Sequence, residues 1–238
     1  MAESGNKDLI ITPTYNEKEN IDRFMEKALE AFPDADMLVI DDSSPDGTAR
    51  IVEERSKRDG RIHLKVRPGK LGLGSAYIDG FGWALEHGYE RVYEMDADFS
   101  HDPKYLSTIR DELVKGSDLV IGSRRVKGGG VEGWGPVRHA ISGGGSIYSR
   151  LVLGIPVKDL TAGFKGIRRK VLETLEWDRF YSRGFFFQVE THYRAWKAGF
   201  RIKEVPILFK DRTAGKSKMN RKIFFEALLL ALKLRIKG

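Results

Sequence analysis

Hydrophobic and polar positions alternate in a regular order along the first half of the chain. A short apolar run at residues 8–13 is followed by apolar positions spaced as one face of a helix, namely Ile21, Phe24, Met25, Ala28, Leu29 and Phe32. The first pattern predicts a strand and the second predicts a helix. The same order of strand pattern and helix pattern recurs along the chain. It ends with a further apolar run, DLVIGSR, at residues 118–124.

These runs predict an α/β fold with a mostly parallel central sheet and helices on both faces. The runs are apolar throughout, as expected of strands that helices cover on both sides. Ligands of such sheets bind beyond the carboxyl ends of the strands. The segments at those ends are rich in carboxylates, Arg, Lys or Gly: TPTYNE, DDSSPDG, RPGKLGLG, DADFSHD and SRRVKGGG.

The second half of the chain is less regular. A Gly-rich segment at residues 127–145 is typical of a mobile loop, and we expect it to lead into a helix near residues 146–154. Further helices are predicted at 168–177 and 189–199, followed by a strand at 202–211. An amphipathic helix is predicted at the C-terminus.

Composition narrows the class of protein. The 238 residues suffice for one large domain or two small ones, and 41 Lys and Arg against 34 Asp and Glu favour anionic partners. Without Cys there is no disulfide or thiolate metal site. The N-terminus lacks the pattern of a secretion signal, and Glu226, Lys233 and Arg235 interrupt the most apolar stretch. We therefore expect a cytoplasmic protein.

One segment is close to a calcium-binding loop. From Asp42 to Glu53 the sequence approaches the pattern D-x-[DN]-x-[DN]-G-x5-E. However, a predicted strand precedes it where a calcium loop has a helix, and Ser44 and Pro45 fit the pattern poorly. A turn that begins a helix is the favoured interpretation.

The segment MDADFSH at residues 95–101 carries the strongest local signal. If Asp96 and Asp98 both stay extended, their side chains leave the strand end on the same side. Two such carboxylates can hold Mg²⁺ or Mn²⁺, with water and phosphate oxygens completing the coordination. A solvated acidic turn is the alternative. Asp41 and Asp42, which end another strand at the same predicted edge, favour the metal site.

Six segments, in order over nearly the whole chain, resemble the inverting family-two glycosyltransferases. More narrowly, they resemble the polyprenyl-phosphate (dolichyl-phosphate) mannose synthases, especially the bacterial polyprenol monophosphomannose synthases. The segments are PTYNE (13–17), IDDSSPDGT (40–48), KLGLGSAYIDG (70–80), MDADFSH (95–101), IGSRRVKGG (121–129) and EVPILFKDRTAGKSKM (204–219).

The resemblance implies a GT-A fold and a single catalytic domain over residues 1–238. Residues 1–125 would bind the nucleotide sugar, 126–220 the acceptor, and 221–238 would form the amphipathic helix. The implied reaction moves mannose from GDP-mannose to a polyprenyl monophosphate with inversion at the sugar. The implied cofactor is a divalent cation, Mg²⁺ or Mn²⁺.

The resemblance also implies roles for individual residues. The guanosine and ribose pocket would be lined by Pro13, Tyr15, Glu17, Ile40 and Asp42. The metal and diphosphate would lie at Asp96, Ala97 and Asp98, and the donor site would be completed by Arg124, Arg212 and Lys218. Asp98 and Arg124 would be catalytic, and Arg138 and Ser142 are candidates for the acceptor phosphate.

Plain structural roles compete with several of these assignments. Asp42 and Glu17 would also serve as caps of adjacent helices, and Arg124 as half of a structural ion pair. The basic loop that carries Arg212 and Lys218 is a lid over the diphosphate or a solvated loop.

No general base stands out, which suits a phosphate acceptor. A phosphate monoester with a second pKa near ~6 is already largely anionic at neutral pH. An alcohol acceptor would need a base, for which Asp98 and His101 are the nearest candidates.

An apolar acceptor tail calls for a lipid-facing surface. The C-terminal helix carries Phe224, Phe225, Leu228, Leu229, Leu232 and Ile236 among Lys222, Lys233, Arg235 and Lys237. This pattern suits an anionic membrane surface, the protein's own core or a membrane-anchoring subunit equally well. We expect the protein on the cytoplasmic face of a membrane, bound peripherally.

Two other functions remain open. A polyprenyl-phosphate glucosyltransferase that uses UDP-glucose would have the same architecture, and a non-catalytic calcium- or lipid-binding module would use the acidic loop and the basic C-terminus. No nucleic-acid partner is expected, because the basic residues do not cluster with aromatic residues on one element.

Overall fold

The computed structural model describes residues 7–184, 186–211 and 221–237, with side chains at all of these except 136–138, 140–141, 221–227 and 237. Its strands are β1 Asp8–Thr14, β2 Ala35–Asp41, β3 Ile62–Val66, β4 Arg91–Glu94, β5 Leu119–Ser123, β6 Gly130–Glu132, β7 Lys165–Arg168, β8 Ile202–Pro206 and β9 Leu208–Lys210. Its helices are α1 Ile21–Ala31, α2 Thr48–Ser56, α3 Leu73–Glu86, α4 Tyr105–Val114, α5 Pro136–Leu153, α6 Arg169–Thr174, α7 Phe186–Lys197 and α8 Arg221–Lys237.

Seven of the strands form one sheet in the order β3-β2-β1-β4-β7-β5-β8. Strand β7 runs antiparallel to both of its neighbours, and the other pairings are parallel. Strands β6 and β9 form a second, two-stranded parallel sheet. The predicted α/β fold with a mostly parallel sheet between helices is confirmed.

Alternate residues of the central strands enter two hydrophobic cores, one on each face of the sheet. Ile11 and Ile40 belong to the core beneath α3, α5, α7 and α8. Ile10 and Val39 belong to the core beneath α1, α2 and α4. The continuous apolar runs of the sequence therefore reflect strands that are buried on both faces.

The Gly-rich segment 127–145 was predicted to be a mobile loop, and this prediction was wrong. Residues 130–132 pair with β9, and α5 begins at Pro136 and continues through the glycines at 143–145. Proline is favourable in the first helical turn because its missing N–H has no partner there in any case. The helix packs along α8, so tertiary contact outweighs the low helix propensity of glycine.

The strand expected at 202–211 is two strands in different sheets. β8 ends at Pro206, and the next N–H, of Ile207, donates to the carbonyl of Ser123. β9 then pairs with β6. The break falls at a proline, which cannot donate to the ladder. The helix expected at 168–177 is likewise shorter, since α6 ends at Thr174 and a 3₁₀ turn follows.

Gly80 gives a test of how α3 packs on the sheet. A Cβ at this position would lie 2.8 Å from Ile11 Cγ2 and 2.9 Å from Ile40 Cδ1, and both side chains are buried on strands. We expect Gly80→Ala to lower the free energy of unfolding by about 1–3 kcal/mol through overpacking. Urea denaturation monitored by circular dichroism measures this change.

Gly82, on the same helix, is the matched control because a Cβ added there would have no atom within 4 Å. Gly82→Ala should raise stability by about 0.5–1 kcal/mol, as expected when a helix-interior glycine is replaced. Equal effects at the two positions would show that α3 does not pack on the sheet as described.

Candidate active site

Three loops with unusual backbone conformations meet at the carboxyl edge of the sheet. They follow β1, β2 and β4, and since β1 lies between the other two strands, the loops are neighbours. Each contains one non-glycine residue with left-handed φ, namely Asn16 at 59°, Ser43 at 53° and Phe99 at 58°. Such conformations cost energy and are concentrated at functional sites, so this edge is the candidate site.

The loop after β2 uses two of its carboxylates to hold its own shape. Asp41 accepts hydrogen bonds from Thr14 Oγ1 at 2.8 Å and from Ser44 Oγ at 2.6 Å. Asp46 accepts from the N–H and hydroxyl of Thr48 and from the N–H of Lys18. Burial works to raise the pKa of Asp46, but these hydrogen bonds lower it overall. The structure therefore contains the turn that was predicted to begin a helix, with β2 before it and α2 after it.

Asp42, the expected nucleoside-binding carboxylate, is held by Arg67. Arg67 Nε donates to Asp42 Oδ1 at 2.6 Å, and both side chains are buried. The other guanidinium nitrogens donate to Ser75 Oγ at 2.9 Å, Asp79 Oδ2 at 3.2 Å and the carbonyl of Gly72 at 3.3 Å. Arg67 thereby fixes Asp42 and ties it to the 70–80 segment. The sequence reasoning missed Arg67, although it opens the basic segment RPGKLGLG.

The other expected nucleoside-pocket residues fall into two groups. Pro13, Tyr15 and Glu17 are partly exposed at the end of β1, and Lys70 Nζ lies 4.4 Å from the centre of the Tyr15 ring. Glu17 also accepts a hydrogen bond from Asn20 Nδ2 at 3.1 Å, before α1. Ile40 is fully buried in the core, where β2 pairs with β1 and β3.

The acidic segment after β4 differs from the predicted geometry. Asp96 is partly exposed, whereas Asp98 is buried in a turn and accepts a hydrogen bond from the Ser100 N–H at 3.0 Å. The two residues therefore do not continue the strand together. His101 is also buried, its ring stacks on Phe164 at 5.0 Å, and its Nδ1 accepts from the Asp96 N–H at 3.4 Å.

The oxygen atoms of this turn suit a hard divalent cation. The described part of the chain contains no cluster of three or more His, Asp or Glu side chains placed to hold a metal. The acidic turn offers the carboxylates of Asp96 and Asp98, with Ala97 between them. It also offers the buried Ser100 hydroxyl, which has no hydrogen-bond partner among the described residues. Mg²⁺ commonly takes few protein ligands and fills the rest with water and phosphate oxygens, so these residues fit such an ion.

A buried cation lies beneath the acidic turn. Lys165 on β7 is in register with Glu94 on β4, and its Nζ lies 3.4 Å from Glu94 Oε2. Gln188 on α7 contacts Lys165 Nζ through Oε1 and donates to Glu94 Oε2 at 2.8 Å. Burial lowers the pKa of Lys165 and raises that of Glu94, while Glu94 and Asp96 act to raise the pKa of Lys165.

Tyr77 on α3 adds a buried hydroxyl to the same region. The hydroxyl has no hydrogen-bond partner of normal geometry among the described residues. Burial raises the pKa of Tyr77 well above its usual value, and the carboxylates of Asp96, Glu94 and Asp98 raise it further. Tyr77 therefore stays protonated and is available as a donor rather than as a base.

Arg124 forms a structural ion pair, which the sequence analysis gave as the alternative to a role in binding the donor. Its Nε and Nη2 donate to the two carboxylate oxygens of Asp159 at 2.7 and 2.6 Å, and Nη2 also donates to Thr161 Oγ1 at 2.8 Å. The guanidinium lies over the rings of Trp134 and Phe209. Burial works to raise the pKa of Asp159, and the bonds to Arg124 lower it overall. The proposed contact of Arg124 with the donor is a prediction still to be tested.

The acceptor candidates lie on α5. Ser142 is buried and accepts a hydrogen bond from Arg125 Nη2 at 3.0 Å, a contact that sequence reasoning did not anticipate. Arg138 belongs to the first turns of α5, and its side chain lies outside the described residues. Arg212 and Lys218 lie outside them altogether.

Comparison with known proteins identifies the family. Residues 9–176 match the sequence model of Glycosyl transferase family 2. The chain belongs to that family. The match spans β1 to α6 and so contains the loops after β1, β2 and β4 as well as Arg124 and Ser142.

Two curated relatives are similar over nearly their whole length. An undecaprenyl-phosphate mannosyltransferase of Micrococcus luteus is 45% identical, with 93% of this chain and 90% of the relative covered. A polyprenol monophosphomannose synthase of Mycolicibacterium smegmatis is 42% identical, with 97% and 87% covered.

Solved structures share the fold at low sequence identity. Glucosyl-3-phosphoglycerate synthase from Mycobacterium tuberculosis, in complex with Mn²⁺, UDP and glucosyl-3-phosphoglycerate, has a TM-score of 0.69 at 18% identity, with 98% of this chain and 81% of that chain covered. The mannosyltransferase PcManGT from Pyrobaculum calidifontis, in complex with GDP-Man and Mn²⁺, has a TM-score of 0.58 at 17% identity, with 97% and 70% covered. The GT-A fold expected from the sequence is confirmed.

The buried pair of Arg67 and Asp42 gives a stability prediction. Arg67→Met leaves a buried carboxylate without its partner, and we expect it to lower the free energy of unfolding by about 3–5 kcal/mol. Adding Asp42→Asn removes the uncompensated charge, so the double variant should recover a large part of the loss. Chemical denaturation of the single and double variants measures both effects.

The control is Arg61→Met, which breaks the ion pair between Arg61 and Asp59. Both of these side chains are about a third or more exposed. Exposed pairs of this kind contribute about 0–1 kcal/mol. A double variant no more stable than Arg67→Met alone would contradict the structural role given to Arg67.

Proposed function

We propose that this protein transfers mannose from GDP-mannose to a polyprenyl monophosphate, with inversion at the sugar. The observation that carries the proposal is the likeness, over more than nine-tenths of this chain, to two proteins named for mannosyl transfer to polyprenyl phosphates. The acidic turn and the nucleoside-side carboxylates, side by side at one sheet edge, are the site that such a reaction requires.

The donor would lie across the loops that follow β2, β1 and β4. Asp42, Tyr15 and Glu17 would bind the nucleoside, with Pro13 and Ile40 beside it. The diphosphate would reach the turn at Asp96, Ala97 and Asp98. PcManGT carries GDP-Man whereas the glucosyl-3-phosphoglycerate synthase carries UDP, so the fold accommodates either nucleoside. UDP-glucose is therefore the alternative donor.

A divalent cation, Mg²⁺ or Mn²⁺, would be held by Asp96 and Asp98, and when bound it would neutralise charge on the departing diphosphate. Both solved neighbours contain Mn²⁺. Arg212 and Lys218 remain the candidates for further contacts to the diphosphate. Arg124, clamped by Asp159, would support the wall of the site.

The nucleophile would be an oxygen of the acceptor phosphate, oriented by Ser142 and Arg138. That oxygen forms a bond to the anomeric carbon of mannose, while the bond from this carbon to the β-phosphate oxygen of GDP breaks and GDP keeps the electron pair. Because the acceptor is already largely anionic at neutral pH, the protein needs to align it rather than deprotonate it.

The acceptor's tail would lie at an apolar face that α5 and α8 form together. This apolar face comprises Ile147, Leu151, Leu229, Leu232 and Ile236, which are between 44% and 78% exposed. Ala231 and Leu234 of α8 point to the other side and are buried in the core. None of the described helices is long and apolar enough to cross a bilayer. The same two helices also carry Arg150, Lys233 and Arg235, and we propose that the face rests on an anionic membrane surface.

The enzymatic proposal predicts metal-dependent transfer that Asp98 supports. Radiolabelled mannose should pass from GDP-mannose into polyprenyl phosphate, and chelation with EDTA should stop it until Mg²⁺ or Mn²⁺ is restored. Asp98→Asn keeps the shape but removes the charge, so we expect a loss of about a hundredfold or more. Asp111→Asn, at an exposed position on α4, should retain normal activity.

Absence of transfer from GDP-mannose by folded wild-type protein would overturn the mannose assignment, and UDP-glucose would be tested next. Full activity of Asp98→Asn would instead overturn the site.

The membrane proposal predicts that charge on the apolar face weakens vesicle binding. Each buried leucine contributes about 1.5–3 kcal/mol, so Leu151→Glu with Leu229→Glu should reduce binding to phosphatidylglycerol vesicles at least tenfold in a flotation assay. Val114→Glu is the control, since Val114 is 63% exposed at the end of α4, which packs on the other face of the sheet. Unchanged binding by the double variant would contradict the membrane contact.

A further inference from the structure

Arg125 follows Arg124 in sequence but has different surroundings. Its Nε is buried and has no hydrogen-bond partner among the described residues. Its Nη2 donates to Ser142 Oγ at 3.0 Å, and the side chain as a whole is 28% exposed. The guanidinium therefore lies against α5 with one buried donor unused.

The two arginines share a single carboxylate unequally. Asp159 binds Arg124 through both oxygens, at 2.6 and 2.7 Å, whereas its nearest oxygen is 3.8 Å from Arg125 Nε. Burial lowers the pKa of Arg125, although a guanidinium still stays charged at any physiological pH. Two cations facing one anion leave a surplus positive charge. A buried charged donor without an acceptor is unfavourable, so an anionic ligand would be stabilised here.

Helix α5 presents glycine rather than a larger residue next to this guanidinium. A Cβ added to Gly143 would lie 3.5 Å from Arg125 Nη1, so the guanidinium packs against the helix backbone there. Ser142 Oγ accepts from Arg125, and a serine hydroxyl can at the same time donate its own proton to a second acceptor. The backbone N–H of Arg125 donates to Ser123 Oγ at 3.2 Å, which anchors the residue at the end of β5.

We propose that Arg125 and Ser142 together bind the phosphate of the lipid acceptor. The inference rests on the proposed function and adds a residue to it. Arg125 supplies the unused Nε–H and the positive charge, and Ser142 supplies its hydroxyl proton. Arg124 serves as a positioning residue that keeps Asp159 occupied, which leaves Arg125 free for the ligand.

The position on α5 favours the acceptor over the donor diphosphate. Ile147 and Leu151 of the apolar face lie on the same helix, five and nine residues beyond Ser142. At 1.5 Å and 100° per residue, Ile147 and Leu151 lie about 7.5 and 13.5 Å along the helix axis from Ser142 and are turned about 140° and 180° around the helix from it. A lipid whose phosphate is bound at Ser142 would pass along and around α5 to reach the apolar face, whereas the donor's nucleoside would lie beyond β4 and β1, across the sheet.

The test compares Arg125→Gln, Arg125→Lys, Ser142→Ala and the Arg125→Gln, Ser142→Ala double variant in initial-rate assays with a short-chain polyprenyl phosphate. Loss of a charged hydrogen bond should raise the KM for this acceptor about ten- to a hundredfold in Arg125→Gln, with the KM for GDP-mannose unchanged. Arg125→Lys should rescue part of the loss. Ser142→Ala should add little to Arg125→Gln, because the two groups act on one phosphate.

Arg179→Gln is the control, since Arg179 pairs with Glu176 on the exposed surface. The inference is wrong if Arg125→Gln behaves like this control, or if it raises the KM for GDP-mannose and leaves that for the acceptor unchanged. Circular dichroism checks that each variant is folded.

Direct binding of the polyprenyl phosphate, measured by calorimetry without any donor, separates this inference from the proposed function. Wild-type protein that binds the lipid phosphate but transfers no mannose would contradict the donor assignment alone. Loss of that binding in Arg125→Gln would still support the phosphate site, and retained binding would overturn it.

Discussion

The buried ion pair between Lys165 and Glu94 is the interaction on which the site depends. Glu94, Asp96 and Asp98 place three carboxyl groups within five residues, and at the end of a buried strand they would repel one another. The antiparallel strand β7 brings one ammonium group directly opposite Glu94. A lone buried charge would be strongly unfavourable, so neither partner is tolerated without the other. Lys165 therefore places an amino group directly beneath the acidic turn at the edge of the sheet.

The same strand separates the two sides of the site. On one side of β7 lie β4, β1 and β2 with the nucleoside-side loops, and on the other lies β5, which leads to Arg124, Arg125 and α5. Gln188 on α7 hydrogen-bonds to both members of the buried pair. A helix from the second half of the chain is thus fixed against the acidic turn of the first half, which joins the proposed donor and acceptor sides through a rigid core.

The elements that sequence patterns predict well are those determined by local spacing. The strands and helices of the first half follow from apolar periodicity, and the acidic turn follows from its place after such a run. β7 and α5 were harder to predict because long-range contacts determine them: the Lys165 strand is inserted between strands distant in sequence, and a run of glycines becomes helical against α8. Arg67 was missed for the same reason, since its partner Asp42 is 25 residues away.

Arg124 and Arg125 show most clearly how neighbouring residues of one type acquire different roles. The sequence cannot distinguish them, because the carboxylate that decides between them, Asp159, comes 35 residues later. On the proposed acceptor side, cations rather than a base would then determine the chemistry. His101, the candidate base for an alcohol, is buried between the rings of Phe164 and Phe209, and its Nδ1 accepts from the Asp96 N–H. A site with its histidine engaged in this way, and with a surplus guanidinium, favours a nucleophile that arrives already negatively charged.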